Sequence, residues 1–235
     1  MNKRTLESAT LFTPGRASYL DEAGILQLSD ASQRRAWVAS RAYDRDFNDA
    51  AVYAGGFPGL AQGWDPSLTP PADRREATLM AGFLTDRLEA EGLTSEEIKG
   101  IVRTQGDSSN SFGDVIRSVE RGLLDPNRFN TDMDHGVELI AGALHGKRFT
   151  MLLSKALYID PARVQRVGMR DIYGTPEHPL QPAESRTTAV LKEMTAIGLT
   201  AYVLQGVKSG DLEAVKDAEQ HFIEVYRKVV KPPSK

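Results

Sequence analysis

Residues Phe129 to Phe149 read FNTDMDHGVELIAGALHGKRF, and the way this stretch folds decides the class of the whole chain. Its first part, TDMDH, suits a helix start. Asp132 or Asp134 can accept from the free N–H groups of a first turn, where the helix dipole also favours a carboxylate. The apolar residues that follow are read as one helix running to about Tyr158. On such a helix Asp132 and His135 are neighbours, with Asp134 beside them. Two carboxylates and an imidazole are a set that can ligate a divalent metal or share proton transfer. His145 returns to nearly the same face but lies about 16 Å further along the axis, so it stays outside that site. The plainer reading is a capped helix with His145 on a half-buried face.

Working outward, most of the chain invites the same reading. DASQ at Asp30 offers a helix start with glutamine three residues on, and the helix is expected to run through RRAWVASRAYDRDFNDAAVYA with Trp37, Val38, Arg41 and Phe47 near its buried side. ADRREATLMAGFLTDRLEAEG is a second helix closed by Gly92, and Thr94 with Glu97 forms a capping box for a short third one ending near Gln105. FGDVIRSVERGLL resumes helical spacing, and DPARVQRVGM reads as a short helix with Pro161 in its first turn. Two more helices are expected from about Ala183 and Asp211. No alternating run is long enough to demand a sheet. The expectation is an all-α fold, a single globular domain of about eight helices over residues 29–231, with an irregular N-terminal wrap over 1–28 and a tail over 232–235.

Composition narrows the function classes. The 235 residues carry 40% hydrophobic and 26% charged residues with a net charge of −3, ordinary values for a globular chain and without the basic excess of a general nucleic-acid binder. With no cysteine, disulfides, thiolate metal sites and cysteine nucleophiles are excluded. The first residues lack the apolar centre of a signal peptide, and no segment approaches the roughly 18 apolar residues of a membrane span. The expected location is the cytoplasm, or delivery from it without a cleavable signal, and no membrane partner is expected.

Chemistry-bearing residues are sparse. Asp132, Asp134 and His135 are the candidate catalytic group. No cofactor is expected, and a divalent metal held by those three residues is the alternative to that. Arginines at 34, 35, 41 and 45 and the pair Lys147 and Arg148 could grip a phosphate if they faced a cleft, and Arg41, Arg45, Lys147 and Arg148 are the candidate phosphate ligands. YDRDFND lacks the glycine and the bidentate glutamate of a calcium loop. Ser108, Ser109 and Ser111 in GDSSNS have no histidine near them in sequence. His178 sits in a proline-framed loop, and His221 beside the apolar stripe of the last helix. The irregular GGFPGLAQGWDPSLTPP, from Gly55 to Pro71, offers Phe57 and Trp64 as aromatic anchors for a protein partner.

Three segments together resemble the HD superfamily of helical phosphohydrolases and phosphodiesterases. They are NDAAVYAGG, where that family carries its His-Asp pair, the helix pair DRREATLMAGFLTDRLEAEGLTSEEIKGIV, and the late acidic segment TDMDHGVELI. The resemblance spans roughly residues 8 to 158 and implies a helical scaffold. It transfers only Asp132 or Asp134, as the late aspartate. Ala54-Gly55 stands where the His-Asp pair would be, and no histidine precedes His135, so the resemblance is to a degenerate copy. The expected function is therefore a non-catalytic interaction or regulatory protein, effector- or inhibitor-like, binding a macromolecular partner. The alternative is a phosphohydrolase or phosphodiesterase acting on a nucleotide or phosphate ester.

Overall fold

The computed structural model describes residues 6–16, 18–20, 25–56, 75–108, 110–169 and 186–229. Their centre is a five-stranded sheet built from β1 (Ser8–Pro14), β4 (Asn48–Ala54), β5 (Val102–Gln105), β6 (His135–Gly142) and β7 (Val164–Met169). Two short strands between β1 and β4, β2 (Ser18–Leu20) and β3 (Leu26–Leu28), form a separate antiparallel pair. The strand order is β5-β4-β1-β6-β7, and every pairing in the sheet is parallel. Eight α-helices accompany the strands: α1 (Asp30–Ala42), α2 (Glu76–Ala90), α3 (Ser95–Ile101), α4 (Ser111–Glu120), α5 (Pro126–Thr131), α6 (Ala143–Leu157), α7 (Arg186–Val203) and α8 (Leu212–Val229).

Side chains of the strands alternate between two cores. Leu11, Ala51, Tyr53 and Ile140 face a layer that includes Ala36 and Ala39 of α1 and Met80, Leu84 and Leu88 of α2. Their neighbours Phe12, Val52, Leu139 and Ala141 face the opposite layer, with Phe112 and Ile116 of α4, Phe149 and Leu152 of α6, and Val215 and Phe222 of α8. The architecture is a three-layer α/β/α sandwich. From β1 the chain moves by α1 to β4 and by α2 and α3 to β5, then returns across β1 to β6 and moves by α6 to β7. Right-handed crossovers in opposite directions put their helices on opposite faces, which is the arrangement observed.

This overturns the all-α expectation and, with it, the HD-like scaffold. The segment NDAAVYAGG carries β4, and TDMDHGVELI is a turn followed by β6, so the resemblance over residues 8 to 158 does not hold. The expected first helix ends at Ala42, and the rest of that run supplies β4. The segment read as an N-terminal wrap supplies β1, the central strand. Of the helix expected in DPARVQRVGM, only the turn Pro161–Arg163 is helical, and β7 follows it. The physical reason is common to all of these. Strands of a parallel sheet covered on both faces read as continuous apolar runs, without the polar alternation that marks a half-exposed strand. Of β4, six of seven residues are buried, and of β6, seven of eight. The helix α2, the Thr94–Glu97 capping box of α3 and the positive φ of Gly92 that closes α2 agree with the sequence reading.

One charged residue ties the sheet to the turn before β6. Arg163 is 2% exposed. Its Nε donates to the carbonyl of His135 at 3.0 Å, and its Nη2 donates to the carbonyls of Phe129 at 2.7 Å and Asp132 at 2.6 Å. A guanidinium with fixed forks can satisfy three carbonyls that no strand partner reaches. Arg163→Ala is expected to remove the donor from the buried carbonyls of Phe129 and His135 and to cost about 3 kcal/mol or more. Equilibrium denaturation checks this, and a loss below about 1 kcal/mol would contradict the role.

Candidate functional site

At the carboxyl edge of the sheet the loops after β1, β4 and β5 are laced together by their backbones. Gly15 N–H donates to Ala54 O at 2.6 Å, and Gly55 N–H donates to Gln105 O at 2.9 Å. A side chain at Gly56 would overlap the carbonyl of Gly106, so the approach requires glycine. β1 and β6 are neighbours whose outgoing connections leave in opposite directions, and open parallel sheets bind ligands in the crevice at such a reversal.

Polar side chains from five elements meet there. Arg35, on α1, is 4% exposed. Its Nη1 donates to the carbonyls of Pro14 at 2.8 Å and Gly15 at 2.9 Å, and its Nη2 lies 2.7 Å from His145 Nδ1. His145 is in the first turn of α6 and buried, with its ring edge-on to Phe149. Its Nε2 lies 3.3 Å from Ser111 Oγ, at the start of α4, and that hydroxyl accepts from Arg148 Nη2 at 2.7 Å. Arg16, just past β1, pairs with Glu193 of α7 at 3.0 Å, and Arg148 lies 3.6 Å from the other oxygen of the same carboxylate. Glu76, at the start of α2, accepts from Ser32 Oγ at 2.6 Å and from the backbone N–H of Arg16 at 3.0 Å. Arg148 Nε and Glu193 Oε1 are buried with no hydrogen-bond partner among the described residues.

The electrostatics follow from burial and the three guanidiniums. Burial, with Arg35, Arg148 and Arg16 adding to it, holds the His145 pKa well below the ordinary histidine value, so the ring is neutral. Burial opposes ionisation of Glu193, but Arg148, Arg16 and Arg35 outweigh it and keep its carboxyl below the ordinary value. Asp114, behind the site on α4, is different. Burial pushes its pKa up to about 7 despite the hydrogen bond from Ser108, while Glu76 raises it further and Arg148 and Arg35 oppose.

The residues expected to act lie elsewhere, with one exception. Asp132, Asp134 and His135 sit at the opposite, amino end of β6. The Asp132 carboxylate accepts from the N–H groups of Asp134 at 3.1 Å and His135 at 3.0 Å, which makes it a turn former. His135 is fully buried between Ser8 Oγ at 2.8 Å and Thr10 Oγ1 at 3.1 Å. Among the described residues, no group of three or more histidines and acids is arranged to hold a metal ion. Arg41 is exposed and lies over the Trp37 ring, 5.3 Å from its centroid, and Arg45 and Lys147 are exposed as well. Trp37 and Arg41 were expected on the buried side of α1. That side is instead Ser32, Arg35, Ala36, Ala39 and Ser40, and Trp37 is 54% exposed. Only Arg148 of the candidate phosphate ligands reaches the crevice. Phe57, Trp64, Ser109 and His178 lie outside the described residues.

The sequence reading missed Arg35 as a distinct residue, the partnership of Ser111 with His145, and the acids Glu76 and Glu193. A signal for Arg35 was present: it falls in register with Ser32, Ala36 and Ala39, a stripe of small residues on one helix face, where a buried arginine needs a specific reason. Nothing in sequence announces a serine and a histidine 34 residues apart as neighbours. Comparison with protein-family models, curated proteins and solved structures gave no significant match to this chain. Among the described residues, no helix is long and apolar enough to cross a membrane.

Asp114 gives the site a pH signature. Its pKa is raised from 3.8 unfolded to about 7 folded, so the folded state favours the protonated form. That contribution is complete below the unfolded pKa and is lost as pH rises toward 7. Asp114→Asn is expected to be more stable than the wild type at pH 8, by on the order of 4 kcal/mol, with most of the gap closed at pH 4. Denaturant unfolding at the two pH values measures it, and an equal difference at both would contradict the assignment. Buried His135 and His145 act in the other direction. Their folded pKa values are depressed, so their contribution is present above about pH 6.5 and falls as pH drops below it.

Proposed function

We propose that the protein binds a phosphorylated small molecule, a phosphate ester or nucleotide, at the carboxyl edge of β1 and β6. The observation that carries this reading is the convergence of Arg35 and Arg148 on one neutral imidazole and one hydroxyl at the reversal point of a parallel sheet, with Arg16 meeting Arg148 across the Glu193 carboxylate. Three guanidiniums this close repel one another, and Glu76 and Glu193 offset only part of that. An anionic group would lower the remaining repulsion and gain charge-assisted hydrogen bonds. The amino ends of α4 and α6 open on the same crevice, and α6 has no side-chain cap on its first N–H groups. Arg148 supplies the approach: its side chain is 12% exposed and its Nε is without a hydrogen-bond partner among the described residues. The reading takes up the alternative of a phosphorylated ligand rather than a macromolecular partner, with Arg16 and Arg35 beside Arg148 in place of Arg41, Arg45 and Lys147.

Calorimetric titration with inorganic phosphate, pyrophosphate and a panel of nucleoside monophosphates tests the reading. At least one is expected to bind, and Arg148→Ala to weaken it tenfold or more, the loss of one charge-assisted hydrogen bond. Lys147→Ala, on the exposed side of the same helix turn, is expected to bind as the wild type does. Binding of none of these compounds, or equal binding by Arg148→Ala, overturns it.

A further inference from the structure

We propose that Arg35 is a positioning residue that locks His145 in its Nε2–H tautomer, so that the imidazole faces the crevice as a hydrogen-bond donor and cannot serve as a base toward Ser111. The argument is one of donors and acceptors. A guanidinium carries only N–H donors, so the 2.7 Å approach of Arg35 Nη2 to His145 Nδ1 requires a lone pair on Nδ1. An imidazolium has no such lone pair, and neither does the Nδ1–H tautomer at that nitrogen. The proton of the neutral ring therefore resides on Nε2, which lies 3.3 Å from Ser111 Oγ.

Arg35 is well placed to enforce this. Its other terminal nitrogen is committed to the carbonyls of Pro14 and Gly15, and the residue is buried. It cannot swing away from His145 without leaving two carbonyls unpaired. The charged groups that face the ring are Arg35 from α1, Arg16 from the segment after β1, and Arg148 from α6 itself, and all three disfavour a second proton.

The consequence extends to Ser111. Its oxygen accepts from Arg148 Nη2 at 2.7 Å and lies at the protonated nitrogen of His145, so its own hydroxyl proton points away from both. A serine beside a histidine invites reading as a nucleophile and its base, but that chemistry needs an unprotonated Nε2. Here the cluster instead presents donors: the Ser111 O–H, with His145 Nε2–H fixed behind its oxygen, and the Arg148 guanidinium. A hydroxyl donor among cations suits an acceptor-rich group such as a phosphoryl oxygen. That last step rests on the phosphorylated-ligand reading, whereas the tautomer does not.

The test is long-range 1H–15N correlation of 15N-histidine-labelled full chain without ligand, with the His145 signals assigned by their absence in His145→Gln. The expected spectrum at pH 7 is that of the Nε2–H tautomer. An Nδ1–H or imidazolium pattern in the wild type overturns the proposal. Arg35→Met removes both the donor at Nδ1 and the adjacent positive charge, and it is expected to end the exclusive Nε2–H form and bring the ring's titration back toward the ordinary range. Arg35→Lys retains a donor and is expected to keep the Nε2–H form. An Arg35→Met spectrum identical to the wild type overturns the role of Arg35. Circular dichroism checks that the variants fold, and if Arg35→Met does not, the wild-type pattern together with Arg35→Lys decides. Phosphate added to the same samples separates the two readings. No response of the Nε2 signal, with the tautomer as expected, counts against the phosphorylated ligand and leaves the tautomer standing.

Discussion

Everything in this molecule depends on β1 being enclosed on all sides. It is paired along both edges, by β4 and β6, and covered on both faces, by the α1 and α2 layer and by the α4, α6 and α8 layer. From Ala9 to Pro14 all six of its residues are buried. A strand in that position can carry neither charge nor alternation. Its apolar surface contributes at about 25 cal/mol per Å² removed from water, and its backbone groups are satisfied only if both neighbouring strands are in register. The two crossover directions follow from this enclosure, because a central strand must be flanked by strands reached from both sides.

The same enclosure creates the reversal point. Where β1 and β6 end, their chains part toward opposite edges of the sheet, and the first turns of α2, α4 and α6 meet there through Glu76, Ser111 and His145. Backbone N–H groups pointing into such a gap favour negative charge, and Glu76 and Glu193 already supply some of it. Buried Arg35 and the half-buried Arg16 and Arg148 are each anchored: Arg35 by two loop carbonyls, Arg16 by Glu193, and Arg148 by Ser111. A buried guanidinium without such anchors would be strongly destabilising. At the other end of the sheet Arg163 obeys the same rule, anchored by the carbonyls of Phe129, Asp132 and His135. One end of the sheet therefore uses arginine for construction, and the other arranges it around a gap.

Local signals in the sequence were reliable where they described local chemistry. The helix α2, the capping box at Thr94, the closing Gly92, the two last helices and the helical spacing of α4 were all readable from neighbouring residues. The window FNTDMDHGVELIAGALHGKRF was not. It contains a helix end, an aspartate turn, a strand and a helix start, so no single 3.6-residue period runs through it. At about 3.3 Å per residue a strand carries His135 and His145 to opposite ends of the sheet. A helix would have kept them closer and on comparable faces. The separation of the two histidines was thus inferred from the wrong geometry, although they do lie apart.

By itself the sequence determined which segments are apolar, where several helices begin and end, that no thiol chemistry is available, and that Arg148 is a cation on a helix. These are properties of composition and of contacts within a few residues. Only the tertiary structure decided that the apolar runs ATLFTP, NDAAVYA and HGVELIAG are strands, because a run buried on both faces has no periodicity to distinguish it from a buried helix. Only the tertiary structure, likewise, brought Arg16, Arg35, Ser111, His145, Arg148 and Glu193 together, since they come from separate elements joined by no local rule. Which nitrogen of His145 holds its proton is decided by a side chain 110 residues away.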